Sequence, residues 1–328
     1  MLLQPRLLLT LLVITVGLWA QDLRADPSFW KHEFPKTDFS RTNVPNWKEI
    51  LSGGPGRDGI PALSSPAFRK AADETRIAPR EPVLTVEIKG AKPRAYPLRY
   101  LTWHEIVNDK IGGTPVAVTF CPLCNSGLVF DRRVAGKVLS FGVTGKLRSS
   151  DMVMYDHQTE SWWQQALGQG IVGAHTGTQL KQLPAWMESW AEFVRRNPDG
   201  LVMDQPDARR PYGQNPYAGY DSRDRPYPFF TGEHPPNDVP ALARVVRVGD
   251  RAWPVSRLAE AGEINEAGVT LSWAAGQASA LDTARIAKGR DVGTIRVRDR
   301  QGRDVPHDVL FAFAFHAFWP DGKWMLGR

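Results

Sequence analysis

The spacing of apolar residues predicts a β-rich region that begins near residue 81. Residues 83–88 (VLTVEI) alternate with the period of a strand, and a second short strand follows a glycine turn. Residues 101–111 carry apolar side chains at helical spacing and end at a Gly-Gly pair, which predicts a helix. Residues 116–130 (VAVTFCPLCNSGLVF) are apolar on both sides of a turn, and a hairpin follows around Ala135.

The flanking segments differ in composition from this region. Residues 184–196 (PAWMESWAEFVRR) have one apolar face and precede Asn-Pro-Asp-Gly, so we expect an amphipathic helix there. The first β-rich unit, with that helix, therefore spans residues 81–200. Residues 21–80 are rich in Pro, Gly and charge and predict an irregular N-terminal wrap. Residues 201–240 are rich in Tyr and Pro and predict a long excursion, either a lid or an interaction surface.

The last part of the chain repeats an earlier pattern. RAYPLRYL at residues 94–101 is echoed by RAWPVSRL at residues 251–258, and both follow an apolar run and a glycine turn. Residues 241–328 are therefore predicted to form a second, degenerate β-rich unit. The fold class expected from this duplication is α+β: two related antiparallel β-rich units packed into one body with a few helices.

The second copy lacks the reactive groups of the first. The position that matches His104 holds Ala261, and the positions that match Cys121 and Cys124 fall near Ala274 and Gln277. Groups needed by the scaffold itself would be expected in both copies. Their restriction to one copy favours a single functional site around the two cysteines.

The N-terminus predicts export. Residues 7–20 (LLLTLLVITVGLWA) form an apolar run of 14 residues after Arg6, which suits the core of a signal peptide better than a membrane span. We therefore predict a signal peptide at residues 1–20, cleaved after Ala20 or Ala25, with a retained anchor as the alternative. The expected location is periplasmic or secreted, with no stable membrane insertion after cleavage.

Charge excludes one class of partner. The chain has 41 Lys and Arg residues against 35 Asp and Glu residues, for a net charge of +6. Because the positive residues are scattered among carboxylates, a nucleic-acid partner is not expected. The partner is predicted to be a small molecule or a protein.

The chain has two cysteines, Cys121 and Cys124, spaced Cys-Pro-Leu-Cys. A disulfide between them would close a very short loop and contribute little stability. The pair therefore points to metal or redox chemistry. Two thiolates with imidazole suit Cu(I) or Zn(II), so we predict a metal site of Cys121, Cys124, His104 and Met154, with copper ahead of zinc because of the thioether. Cys121, Cys124 and His104 are also the candidates for any catalytic role.

Two alternatives stay open at this point. A thiol–disulfide centre is the first, although no helix follows Cys124 to lower the pKa of a thiol. A sugar- or peptide-binding groove is the second, built from the 12 tryptophans and the tyrosines with Asp151, Asp156 and Glu160. The residues alone do not distinguish an enzyme from a binding protein.

Several motifs in fixed order resemble the bacterial family of unknown function numbered 3179. They are WHEIVND, VAVTFCPLCNSGLVFDRRV, FGVTGKLRSSDMVMYDHQTESWWQQ, RNPDG and FAFAFHAFWPDGKWMLG. The resemblance runs from about Gly53 to the C-terminus. Its Cys-Pro-Leu-Cys, Trp-His-Glu and Met-Tyr-Asp segments match residues 121–124, 103–105 and 154–156. The resemblance implies an exported bacterial protein without an assigned reaction.

Overall fold

The structure is a computed structural model that describes residues 27–327 of the 328-residue chain. The predicted signal peptide and both predicted cleavage positions, Ala20 and Ala25, lie outside the described residues. Within residues 27–327, none of the helices has the length and apolar character that crossing a membrane requires.

The described residues form mainly β-strands. The strands in chain order are β1 Ile50–Ser52, β2 Leu63–Ser64, β3 Phe68–Lys70, β4 Pro82–Val86, β5 Arg94–Pro97, β6 Ile106–Ile111, β7 Thr114–Cys121, β8 Ser126–Asp131, β9 Arg133–Val134, β10 Lys137–Val138, β11 Phe141–Arg148, β12 Asp151–Asp156, β13 Trp162–Gln164, β14 Gln169–Val172, β15 Lys181–Leu183, β16 Trp186–Ser189, β17 Leu201–Met203, β18 Arg244–Val248, β19 Arg251–Pro254, β20 Glu263–Glu266, β21 Val269–Ala274, β22 Thr294–Asp299, β23 Asp308–Phe311 and β24 Lys323–Trp324. The short α-helices are α1 Pro27–Trp30, α2 Leu98–His104, α3 Trp190–Arg196, α4 Val255–Ala261 and α5 Ala312–Phe318.

The strands are arranged as a five-bladed β-propeller. Blade I has the order β1-β11-β12-β13-β14, blade II β15-β8-β7-β6-β2 and blade III β16-β4-β5-β17-β3. Blade IV has the order β23-β18-β19-β24 and blade V β20-β21-β22, while β9 and β10 form a separate hairpin. The N-terminal segment supplies one short edge strand to each of blades I, II and III.

The predicted α+β fold of two packed units is wrong. About 15% of the protein is helical, and the β-sheets are propeller blades. The echoed sequences do form equivalent elements, a hairpin followed by a helix and a second hairpin. However, each copy is divided between two blades: β4–β5 lie in blade III and β6–β7 in blade II, while β18–β19 lie in blade IV and β20–β21 in blade V. One copy is therefore not a unit with its own core, because its two hairpins belong to different sheets.

Two predicted helices are shorter than their apolar spacing suggested. The helix expected at residues 101–111 ends at His104, and Ile106–Ile111 instead pairs antiparallel with β7. The helix expected at residues 184–196 begins only at Trp190, because Trp186–Ser189 pairs with β4. Short apolar runs satisfy either periodicity, and here pairing with a neighbouring strand prevails over the local pattern.

The cysteine segment folds as the sequence predicts. Strand β7 ends at Cys121, a turn follows, and β8 begins at Ser126, directly opposite Cys121 in the antiparallel register. Both cysteines belong to the largest hydrophobic core cluster. The backbone N–H of Phe311 in blade IV donates to the Cys124 carbonyl at 2.9 Å, so the turn is fixed to two blades.

A β-bulge in β11 makes a testable contribution to the fold. The register between β11 and β12 shifts between Val143 and Lys146, and Gly145 adopts a φ of +74° there. A Cβ on Gly145 would lie 2.1 Å from the Pro55 carbonyl oxygen. Gly136 has a similar φ of +78° with open space around its Cα. We expect Gly145→Ala to lower the free energy of unfolding by about 1–3 kcal/mol more than Gly136→Ala does, measured by urea denaturation. Equal losses of unfolding free energy in the two variants would contradict the close approach of the Pro55 carbonyl oxygen to Gly145.

Candidate functional site

The two thiols are buried and are not joined in a disulfide. Cys121 is 1% exposed and Cys124 is fully buried. Asn125 has a φ of +53°, which lets the chain reverse tightly after Cys124 and enter β8. The Cys121 thiol donates a long hydrogen bond of 3.8 Å to the carbonyl oxygen of Ser150. The turn between β7 and β8 therefore meets the hairpin between β11 and β12.

Asp151 joins the cysteines through that hairpin. Within residues 27–327, the Sγ atoms of Cys121 and Cys124 and a carboxylate oxygen of Asp151 all lie within 4.8 Å of one another. Asp151 is the first residue of β12 and is fully buried. Ser149 and Ser150, just before it, both adopt positive φ, which makes the hairpin tight. The structure therefore brings two thiols and one carboxyl group together from two blades.

One oxygen of the Asp151 carboxylate is fixed and the other lacks a partner. Its Oδ2 accepts hydrogen bonds from Gln164 Nε2 at 2.6 Å and from the Ala166 backbone N–H at 2.9 Å. Its Oδ1 is buried and has no hydrogen-bond partner of good geometry, although the Cys121 thiol lies close enough to the carboxylate to interact with it; Gln165 Oε1 nearby also has no partner. Buried polar atoms are almost always partnered, so an orphan carboxylate oxygen beside two thiols indicates an incomplete binding site.

Burial favours the protonated forms of the three side chains in this cluster. It raises the pKa of Asp151 to about 7, and it raises the pKa of the Cys121 thiol and, more strongly, that of Cys124. Without a cation, the thiols therefore hold their protons at neutral pH. A metal cation that displaced those protons would offset most of the negative charge of the thiolates and the carboxylate, which are the forms that bind metal.

The structure places His104 outside the thiol–carboxylate cluster. It is the last residue of α2, and its Nδ1–H donates to the Pro61 carbonyl oxygen at 2.7 Å. Its Nε2 accepts from the Tyr212 hydroxyl at 2.6 Å. Burial lowers the pKa of His104, which favours this neutral form. A metal ion would have to displace one of these hydrogen bonds, and the role of His104 as a ligand or catalyst stays a prediction.

Met154 lies on the strand that begins with Asp151. It pairs with Val143 and Trp163 in the neighbouring strands and is fully buried in the same core cluster as the cysteines. Its thioether is thus a core side chain in this structure, and its role as a metal ligand also stays a prediction.

The tyrosine-rich excursion covers the site. The Tyr212 hydroxyl contacts His104, the Tyr217 hydroxyl donates to Glu105 Oε1 at 3.5 Å, and the Tyr220 hydroxyl donates to the Leu123 carbonyl at 2.9 Å. Leu123 lies between the two cysteines in sequence. Three tyrosines of one segment therefore contact residues in or next to the candidate site.

The aromatic residues do not form an exposed platform. Trp162, Trp163 and Trp253 are among the largest fully buried side chains. Among the described residues, the large hydrophobic side chains that are exposed are Phe29 and Val138. This distribution matches core packing and does not favour the sugar- or peptide-binding groove.

Two residues of the site region, Asp151 and Glu105, are not among the metal-ligand or catalytic residues predicted from the sequence. The sequence predicts Asp151 only as part of the aromatic groove, because its contact with the cysteines depends on the packing of two blades. Glu105 has a signal in the repeat itself: it occupies the position of Gly262 in the second copy, next to the His104 and Ala261 pair. Extending the comparison of the two copies by one residue finds it.

The comparisons with known proteins identify the family without assigning a reaction. No curated protein and no solved structure matches the chain. One family model, described as a protein of unknown function (DUF3179), matches residues 57–322, which is most of the chain. The chain therefore belongs to the DUF3179 family.

Proposed function

We propose that this protein is an exported, periplasmic or secreted metal-binding protein whose ion is held by Cys121, Cys124 and Asp151. The observation that supports the proposal is the buried cluster of two thiols and a carboxylate within 4.8 Å, with an unpartnered carboxylate oxygen. In a tetrahedral zinc site with Zn–S bonds near 2.3 Å, two sulfurs lie about 3.8 Å apart. Side-chain shifts of about 1 Å would therefore close the cluster around one ion.

The carboxylate favours zinc over copper. Two thiolates and a thioether would suit Cu(I), so Cys121, Cys124 and Met154 alone would favour copper over zinc. An oxygen ligand from Asp151 is harder and is a common partner of zinc. Three protein ligands would leave the fourth position to water, to a substrate or to a further side chain such as His104.

Disulfide exchange is the alternative that the same residues allow. A reactive dithiol needs a thiol with a lowered pKa, usually at a helix N-terminus. Here Cys124 is followed by a turn and a strand, and burial raises the pKa of both thiols. These features favour metal binding over redox exchange.

Replacement of Asp151 tests the ligand set. We expect the purified chain to bind one Zn²⁺, and Asp151→Asn to weaken the binding by at least about tenfold, since altering groups that support a metal already costs 10–100-fold. Competition with a chromophoric chelator measures the affinity. Asp156→Asn is the matched control: it lies on the same strand, is fully buried, and bonds to Trp163 Nε1 rather than to the cluster.

The outcomes separate the hypotheses. Tight zinc binding that Asp151→Asn weakens and Asp156→Asn keeps supports the proposal. His104→Gln and Met154→Leu, measured in the same way with Zn²⁺ and Cu⁺, decide whether either residue completes the site. A chain that binds neither metal and shows a reversible dithiol/disulfide couple would overturn the proposal in favour of redox exchange.

A further inference from the structure

A second feature, distinct from the metal cluster, lies beneath the tyrosine-rich segment. A cavity of about 140 Å³, open to solvent on one side, is lined by that segment, the N-terminal loop, strand β11 and the turn between the cysteines. Its walls include Ile60, Leu123, Tyr217, Tyr227 and Phe229 and are mostly apolar. Exposed Pro55 lies at one side, so the cavity reaches the surface.

Glu105 is the one carboxylate in the wall of this cavity. It is 6% exposed, and within residues 27–327 its side chain has a single hydrogen bond, the one of 3.5 Å from the Tyr217 hydroxyl. No Lys, Arg or His of the described residues forms an ion pair with it. Other buried glutamates are satisfied: Glu160 pairs with Arg57 at 3.0 Å, and Glu81 pairs with Arg99 at 2.7 Å. Glu105 is thus a buried acid that faces an apolar cavity with one weak partner.

The backbone at Glu105 is strained. The residue caps the C-terminus of α2 with a φ of +57° and a ψ of −35°. The equivalent cap of α4 is Gly262, with a φ of +70° and a ψ of −39°. Glycine adopts this conformation freely, whereas a residue with a Cβ does so at a cost. The first copy therefore carries a glutamate where the scaffold favours glycine, which indicates a use for the carboxylate.

We propose that this cavity binds a small organic cation, an amine with an apolar body, whose ammonium group pairs with Glu105. The Glu105 carboxyl group has no counter-charge of its own, so an ammonium group that pairs with it would displace its proton and hold it in the ionised form. The rings of Tyr217, Tyr227 and Phe229 favour a positive group and an apolar body next to it. A cavity of about 150 Å³ holds a benzene-sized molecule, so the ligand has roughly six to eight non-hydrogen atoms. This inference goes beyond metal binding and does not require a metal ion.

Paired probes test the charge requirement. Butylamine and benzylamine are compared with the uncharged butanol and benzyl alcohol by isothermal titration calorimetry at pH 7, with and without Zn²⁺. The amines are expected to bind at least tenfold more tightly than the alcohols. Alcohols that bind as well as amines, or a folded protein that binds no amine, would overturn the proposal. A metal-free protein that still binds amines separates this result from the outcome for the metal site.

Variants of Glu105 locate the bound amine. Glu105→Gln keeps the size of the side chain and removes its ability to ionise and pair with an ammonium group, so amine affinity is expected to fall at least tenfold. Glu105→Gly installs the residue of the second copy, relieves the backbone, and provides a folded variant if the glutamine protein is unstable. Glu160→Gln is the control, since Glu160 is also buried with a φ of +57° but lies outside the cavity. Unchanged amine affinity in either folded Glu105 variant would contradict the assignment.

Discussion

Replacing Cys121 or Cys124 by serine is expected to weaken zinc binding by more than about 100-fold, because the loss of a ligand exceeds the 10–100-fold effect of losing a group that only supports one. Serine keeps nearly the size of cysteine, but its hydroxyl does not supply a thiolate. Both thiols are buried in the same cluster as Asp151. Water or a nearby side chain therefore cannot take the place of a missing thiolate ligand unless the core moves.

Zinc binding by the cysteines can also be measured as an increase in the free energy of unfolding. A ligand that binds the folded state at about 1,000 times its Kd raises the free energy of unfolding by about 4 kcal/mol. Urea denaturation with and without Zn²⁺ should show this gain for the wild-type chain and for Asp156→Asn. The serine variants should lose this gain, with each variant compared with its own metal-free form. Serine variants that keep the full gain would rule out the cysteines as ligands.

The metal-free protein is expected to lose stability as the pH rises from 5 to 9. Burial raises the pKa of Glu105 from 4.5 to about 8. Between these two values the folded state holds a proton that the unfolded state has released, so the free energy of unfolding falls with rising pH. The stabilisation is complete below pH 4.5 and is lost once the pH has passed 8. Asp151, with its pKa raised to about 7, contributes in the same direction.

The expected loss is on the order of a few kcal/mol over this range, since each pKa unit corresponds to about 1.4 kcal/mol. Glu105→Gln does not titrate, so its unfolding free energy should vary much less with pH and should exceed that of the wild type at pH 9. Urea denaturation at intervals of one pH unit, with a chelator present, measures both slopes. A wild-type protein that gains stability between pH 5 and 9 would contradict the buried, unpaired state of Glu105.

The local structure around the cysteines was predictable because its signals are local. The apolar runs on both sides of Cys-Pro-Leu-Cys and the Asn-Ser-Gly sequence after it indicate strand, turn and strand, and β7, the turn and β8 follow that order. The hairpin around Ala135 and Gly136 is confirmed for the same reason, with β9 and β10 on its two sides. These elements depend on residues within about ten positions of each other.

The propeller and the third acid of the cluster were not predictable in this way. Periodicity identifies strands, but it does not say which strands share a sheet. Strand β17 joins β5 in parallel across more than a hundred residues, and β24 joins β19 in parallel across 72 residues, from Arg251 to Lys323. Asp151 reaches the cysteines only because the tip of the β11–β12 hairpin packs against the turn after β7. Both facts depend on contacts between residues far apart in sequence, which the spacing of residues in the chain does not encode.

X-ray absorption spectroscopy of the zinc-loaded chain tests the central claim most directly, because it reports the atoms bonded to the metal. We expect two sulfur neighbours at about 2.3 Å and at least one oxygen neighbour at about 2.0–2.2 Å. One sulfur neighbour should disappear in Cys121→Ser, and both should remain in Asp156→Asn. A zinc shell of nitrogen and oxygen alone, or a chain that takes up no stoichiometric zinc, would contradict a metal centre built on Cys121, Cys124 and Asp151.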